Sequence, residues 1–255
     1  MKISEDVLVV LSTMQTSGNL AVISEQLDRK RYLRVDEVLA ELGGKWNRHQ
    51  KGHVFAGDAA DILDAAIVTG EVTTRADLGF FETPPAIVAN LIDLAHIEPG
   101  MRVLEPSAGE GAIVRALQGV RCVVSAVEID KRRAEKVDAL NTEPSGAGTV
   151  NADFMTLTPT AAFDRVVMNP PFARQQDVDH VCHALGFLVP GGRLVAVMSA
   201  GTLFRRNRKA QSFRILLDSL NGTMTRLPED AFAVSGTNVH TVVVTANRHA
   251  AKTEA

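Results

Sequence analysis

The sequence predicts an α/β protein: an open, doubly wound parallel sheet over residues 76–250, preceded by a small α+β module over residues 1–75. Three observations predict it. The apolar runs "MRVLEP", "RCVVSAVEI", "RVVMNPPF" and "GRLVAVMS" lack polar alternation, as expected of strands covered on both faces. The helical segments "EGAIVRAL", "KRRAEKVDAL" and "VDHVCHALGFL" separate those runs one by one, as crossovers between parallel strands require. Residues 1–75 instead read as short amphipathic helices around a basic hairpin.

Taken in order, Ser4 is placed to cap a helix holding Val7, Leu8 and Leu11, and Leu20, Ile23 and Leu27 mark a second amphipathic turn. "DEVLAELGG" is a short helix stopped by Gly43 and Gly44, and "KWNRHQKGHVF" a hairpin with Gly52 in its turn. "DAADILDAAIVTG" supplies a helix ended by Gly70. Helices with a basic hairpin suit a winged-helix-like, DNA-contacting module. After the strand–helix alternation, "FRILLDSL" predicts a helix and "HTVVVTANR" a last, more exposed strand, with residues 251–255 as a frayed tail.

A net charge of −3 excludes a globally basic polyanion binder, so any nucleic-acid contact must come from local patches. Cys122 and Cys182 lack metal-ligand spacing, which predicts a reduced, cytoplasmic protein without disulfides or a metal. "VLVVL" follows Glu5 and Asp6 and is too short for a signal peptide; no apolar run reaches the ~18 residues of a membrane span.

The chemistry sits at the predicted strand ends. "VLEPSAGEGAIV" runs from strand to helix through Glu105, Ser107, Ala108, Gly109 and Gly111, small residues that let a ligand approach the backbone. No third glycine completes a dinucleotide fingerprint, and Glu105 is ill placed beside a pyrophosphate. A carboxylate there suits a cation, such as the amino-acid portion of S-adenosylmethionine (SAM). Glu128 in "AVEID" lies about 20 residues on, where a ribose diol finds its acceptor. Ile129 is placed to cover an adenine ring. In "NADFM", Asp153 can accept from an adenine amino group and Phe154 can pack on the ring. Each acid alone reads equally as a solvated strand end, and Phe154 alone as core; their order at successive strand ends favours a nucleoside site.

The next strand stops at "NPPF". Prolines fix φ and lack an N–H, so the loop is stiff and extended. The Asn169 side-chain oxygen and the Pro170 carbonyl can accept both hydrogens of an aromatic amine, which is otherwise a poor nucleophile, and so aim its lone pair. Pro171 leaves the neighbouring carbonyl unoccupied, and Phe172 is placed to stack on a base swung out of a duplex.

These residues resemble the class I SAM-dependent methyltransferases, specifically the DNA N6-adenine methyltransferases with an N-P-P-[FYW] motif, over about Asp77 to Val244. The resemblance implies a Rossmann-like methyltransferase sheet, SAM as cofactor and double-stranded DNA as partner. It assigns "FFETPP" to the methionine end of SAM, flanked by Phe81 and Thr83, and "EPSAGEG", "VEID" and "ADF" to the rest of the cofactor. "NPPF" becomes the catalytic motif, in the gamma-like order. Restriction-type members carry a sizeable target-recognition domain after the catalytic one. Here the basic stretch "GTLFRRNRKAQSFR" is the expected substitute, through Arg205, Arg206, Arg208, Lys209 and Arg214. The hairpin, with Lys45 and Arg48, is the second candidate; Trp46 in it reads equally as a small core. A homodimer could also build a reader. Ser235 to Asn238 are expected to line the target-base pocket, with His240 facing solvent. Similar motifs in RNA-base and protein-glutamine methyltransferases keep those substrates open, as is a SAM-binding regulator without catalysis.

Overall fold

The computed structural model describes residues 1–72, 82–140, 148–235 and 239–249. Phe81, the residues 236–238 and the tail 251–255, all named above, lie outside them.

The N-terminal part runs α1 (Glu5–Thr13), β1 (Gln15–Ser17), β2 (Leu20–Val22), α2 (Arg29–Glu41), β3 (Lys45–Asn47), β4 (Gly52–Val54) and α3 (Ala59–Thr69). Two hairpins make one antiparallel sheet in the order β1-β2-β4-β3, whereas the winged-helix-like expectation had a single hairpin. Leu20 belongs to β2 and pairs with Val54, so the expected amphipathic turn at Leu20–Leu27 is a strand and loop. Gly52 lies in β4, and Lys51, with φ 51°, takes the turn. Aspartates start both longer helices by accepting first-turn amides: Asp28 from Arg31 at 3.0 Å and Asp58 from Asp61 at 3.1 Å. Val7, Val10, Leu11, Val35, Leu39, Phe55, Leu63 and Ile67 form the core between these helices and the sheet.

The larger part runs α4 (Pro85–Ala95), β5 (Arg102–Glu105), α5 (Ala112–Leu117), β6 (Val123–Glu128), α6 (Lys131–Asp138), β7 (Thr149–Asn151) and β8 (Phe163–Met168). It continues with α7 (Gln176–Ala184), β9 (Leu188–Ser199), α8 (Gly201–Phe204), α9 (Arg208–Ser219), β10 (Thr223–Arg226) and β11 (Thr241–Asn247). The seven-stranded sheet has the order β10-β11-β9-β8-β5-β6-β7. Strands β5 to β9 are parallel, and β11 runs antiparallel to both its neighbours. Consecutive residues feed opposite layers: Val103, Val167 and Val195 join one apolar cluster, Leu104, Val166 and Ala196 the other. This two-sided burial removes polar alternation. The chain order reverses between β5 and β8, the crevice where open α/β sheets bind ligands.

One expectation fails here. β11 is buried along Thr241–Ala246, because β10 pairs outside it and takes the edge. β10 reads "TMTR", four mostly exposed residues too short and polar to register as a strand.

The two sheets meet near Gly70, which ends α3 with φ 68° and donates to Ala66. Its carbonyl accepts from Ile3 at 2.8 Å. The His240 ring lies over it, half-buried rather than facing solvent, and a Cβ at Gly70 would fall 2.8 Å from that ring. Gly70→Ala combines left-handed strain with this clash, and a loss of about 1–3 kcal/mol is expected by urea denaturation.

Candidate active site

Three neighbouring parallel strands, β8-β5-β6, end side by side and deliver Asn169, Glu105 and Glu128 to one edge. After Glu105 the chain turns through Pro106–Gly111 into α5. Two bonds tie this turn to the end of β6: the Ala108 N–H donates to the Val127 carbonyl at 3.0 Å, and the Gly109 N–H to Glu128 Oε2 at 2.8 Å. Glu128 Oε1 accepts from the Asp130 N–H at 2.9 Å and from Arg133 Nε at 3.2 Å. Gly111 has φ 80°, and a Cβ there would come within 2.7 Å of Leu140. The left-handed conformation calls for glycine, and a Cβ would also push the end of the Leu140 side chain aside.

The turn, the end of β8 and α7 enclose a cavity of about 310 Å³. Of the residues expected from sequence, Ser107, Glu128, Ile129, Asp153, Phe154, Asn169, Pro170, Pro171 and Phe172 line it. Glu105, Thr83 and Ala108 line an adjoining recess that shares Ser107 and Asn169 with the cavity. Gly109 and Gly111 shape the turn without lining either space. Asn169 Nδ2 donates to Thr83 Oγ1 at 3.0 Å, so Thr83 orients the amide. Ile129 is 66% exposed at the rim, free to cover a ring. Asp153 is exposed and accepts from the Met155 N–H at 2.9 Å.

Two aromatic assignments need correction. Phe154 is 3% exposed and packs against His183 and Phe187, with centroids 4.9 and 5.1 Å away, so its ring belongs to the core. Phe172 is 2% exposed within the apolar cluster that includes Val68, Val195 and Phe232, and presents no open face for a base. Both aromatics border the cavity while exposing little surface to it.

The basic stretch also divides. Arg205 is buried and its guanidinium donates to Asp64 Oδ1 at 2.5 Å, so it is unavailable to a phosphate. Lys209 pairs with Asp179 at 2.5 Å, and Arg214 donates to the Thr202 and Arg205 carbonyls. Arg206 and Arg208 are exposed, as are Lys45 and Arg48. Trp46 is 52% exposed, edge-on to His53, and is not a core residue.

Residues 89–221 match the family described as the methyltransferase small domain. The chain belongs to this family. It is similar to the type II methyltransferase M.TthHB8I of Thermus thermophilus, 40% identical over 100 residues covering 37% of this chain and 21% of that protein. It is also similar to an rRNA methyltransferase of Streptomyces thermotolerans, 35% identical over 96 residues covering 37% of this chain and 32% of the relative. The matched segments thus span a third or less of either relative. The solved 23S rRNA methyltransferase ErmE shares the fold, with TM-score 0.52 and 23% identity over 67% of this chain and 70% of its own. The chain carries a methyltransferase small domain on a seven-stranded Rossmann-like sheet, with a small antiparallel α+β sheet before it. No helix among the described residues is long and apolar enough to cross a membrane, and no group of potential metal ligands occurs among them.

The methyltransferase site fits SAM. Glu105 is 2% exposed, and its Oε2 is buried without a hydrogen-bond partner among the described residues. Burial, with the Glu128 charge adding to it, pushes its carboxyl well above the usual range. A cationic ammonium in the recess would supply a partner for it. Sequence reading missed His180, which lines the cavity with Nδ1 3.4 Å from Ser107 Oγ and is pushed down by burial. Gln176 lines it from the same helix face; the four-residue spacing in "QDVDH" was the available signal.

Behind the site, Asp177 is buried and accepts from the Ser199 N–H at 2.8 Å; desolvation pushes its carboxyl up to about 7 despite that bond. Arg205 and Asp64 complete the buried set. Removing one partner of a buried pair strands the other charge, so Arg205→Ala is expected to cost about 3–5 kcal/mol in urea denaturation. Arg206→Ala and Arg208→Ala should each stay within about 0.5 kcal/mol of the parent.

Proposed function

We propose that this methyltransferase transfers the methyl group of SAM to N6 of adenine in DNA, acting on a base turned out of its duplex. The observation that carries the reading is Asn169, held by Thr83 at the end of β8 and opening on the same cavity as Glu128 and Ile129. SAM supplies an electrophilic methyl group on a sulfonium centre. Glu105 would bind the ammonium of its amino-acid portion, Glu128 would accept from the ribose, and Ile129 and Asp153 would hold the adenine; the S–CH3 bond breaks as the N–CH3 bond forms, leaving S-adenosylhomocysteine.

The Asn169 Oδ1 and the Pro170 carbonyl then accept both hydrogens of the target amine. This draws its lone pair out of the ring and aims it at the methyl group, an effect of position and preorganised dipoles. No strong base is required, since the proton leaves after transfer. Phe172 takes part only if its ring leaves the core; the two acceptors do not depend on it. Arg206, Arg208, Lys45 and Arg48 are the exposed cations placed to contact phosphates.

The likeness to M.TthHB8I supports the reading. The rRNA methyltransferase of Streptomyces thermotolerans favours a second one, transfer to an adenine in RNA through the same acceptors. Incubation with SAM and duplex DNA, followed by nucleoside mass spectrometry, is expected to give N6-methyladenine. Asn169→Ala should abolish it while SAM affinity stays within about threefold, because the lost acceptor acts on the amine. Methylation of RNA alone would select the second reading.

A further expectation concerns protons. Burial raises the pKa of Glu105, and its carboxyl must be ionised to receive the ammonium, so binding releases a proton at pH values below that raised pKa. SAM affinity should therefore rise with pH towards that value. Calorimetry in two buffers of different ionisation enthalpy measures the proton, and Glu105→Gln should remove it and weaken binding about tenfold or more.

A further inference from the structure

The turn that follows "NPPF" is unusual. Arg174 has φ 53° and ψ 29°, and Gln175 φ 58° and ψ 36°: two consecutive left-handed residues, neither of them glycine. L-residues adopt this conformation only when the surroundings impose it. Arg174 is imposed upon from α3, in the other sheet's half of the chain. Its N–H donates to Asp64 Oδ2 at 2.6 Å, and its guanidinium grips both oxygens of Asp61 at 2.6 and 2.7 Å. Gln175 is held more locally: its N–H donates to the Phe172 carbonyl at 3.2 Å, and its carbonyl accepts from Lys209 at 3.4 Å.

Asp64 is itself fixed. Its other oxygen receives Arg205 at 2.5 Å, and both side chains are buried. Gly201 leaves room for that guanidinium, since a Cβ there would meet Arg205 Nε at 2.8 Å. The carboxylate therefore cannot rotate away from Arg174 without breaking a buried pair.

We propose that Asp64 is a positioning residue for methyl transfer: it locks the left-handed turn at Arg174–Gln175 and thereby sets the place of the Asn169–Phe172 loop. The N-terminal part of the chain is then a brace for the catalytic loop as well as a candidate nucleic-acid contact. Asp64 lines neither the cavity nor the recess beside it, so it acts through backbone geometry. Small misplacements of reacting groups are costly, and a shift near 1 Å can lower a rate by about 100-fold.

The inference rests on the chain being a methyltransferase and, for its kinetic test, on the proposed DNA substrate. Asp64→Asn in the full-length protein is expected to lower kcat about tenfold or more, leaving KM and SAM affinity within about threefold. Glycine adopts the left-handed conformation freely. In an Arg174→Gly background the same Asp64→Asn change should therefore cost less than about threefold in kcat. An equal loss in both backgrounds, or no loss in the first, would overturn the proposal.

Should Asp64→Asn fail to fold, Asp61→Ala at an exposed position tests the same turn, with an expected fall in kcat of about three- to fivefold at unchanged SAM affinity; full activity there counts against it. If the parent protein leaves DNA unmethylated, the substrate reading has failed and the brace is read by hydrogen exchange. Asp64→Asn should then speed exchange of the Arg174 and Gln175 amides at least about tenfold relative to the parent, and unchanged protection would refute the proposal.

Discussion

The site depends on one constraint: β8, β5 and β6 lie next to one another and run the same way. Parallel pairing puts the carboxyl ends of all three strands on one edge, so residues far apart in sequence share a cavity. Glu105, Glu128 and Asn169 are consecutive strand ends in space. The reversal of strand order between β5 and β8 opens the crevice, and the glycine turn closes one side of it. Were one of these three strands reversed, its group would lie at the opposite edge.

Burial then gives those groups their chemistry. Glu128 is bound on both oxygens and ties the glycine turn to β6, so it is a structural tether as well as a candidate ribose acceptor. Glu105 keeps one oxygen without a partner among the described residues, and its burial raises the pKa of the carboxyl, which favours the neutral form until a cation arrives. Asn169 is oriented by Thr83, 86 residues away in sequence. Behind them, two left-handed residues store strain on the order of 1–2 kcal/mol each. At Arg174 that strain is balanced by carboxylates from α3, on the other side of the chain's division into two sheets, and at Gln175 by Phe172 and Lys209.

Much of this was legible in the residues. Every parallel strand that carries a site residue ends where an apolar run meets an acid or "NPPF", because a buried strand must change character as it leaves the sheet. The glycine turn was legible for a related reason: a tight turn from strand to helix calls for positive φ, which Gly109 and Gly111 adopt. Side-chain direction was not legible. Phe154 and Phe172 lie in the right segments, yet their rings turn inward, and spacing cannot show which way an aromatic next to a strand end will pack. The basic stretch misled for the same reason. Arg205 looks like its neighbours in sequence, but its partner Asp64 is 141 residues away. The edge strand β10 escaped because a short polar strand at a sheet margin carries no hydrophobic pattern.

The sequence by itself determined the class of fold, the alternation of the parallel strands with their helices, and the strand-end segments that meet at the cavity, because these follow from local burial patterns and turn chemistry. Tertiary structure decided which charges remain free and which aromatics are core. It also decided how the catalytic loop is held, by Asp61 and Asp64 of α3. Those outcomes depend on partners brought together only by folding, and no local pattern encodes a buried carboxylate that reaches across two sheets.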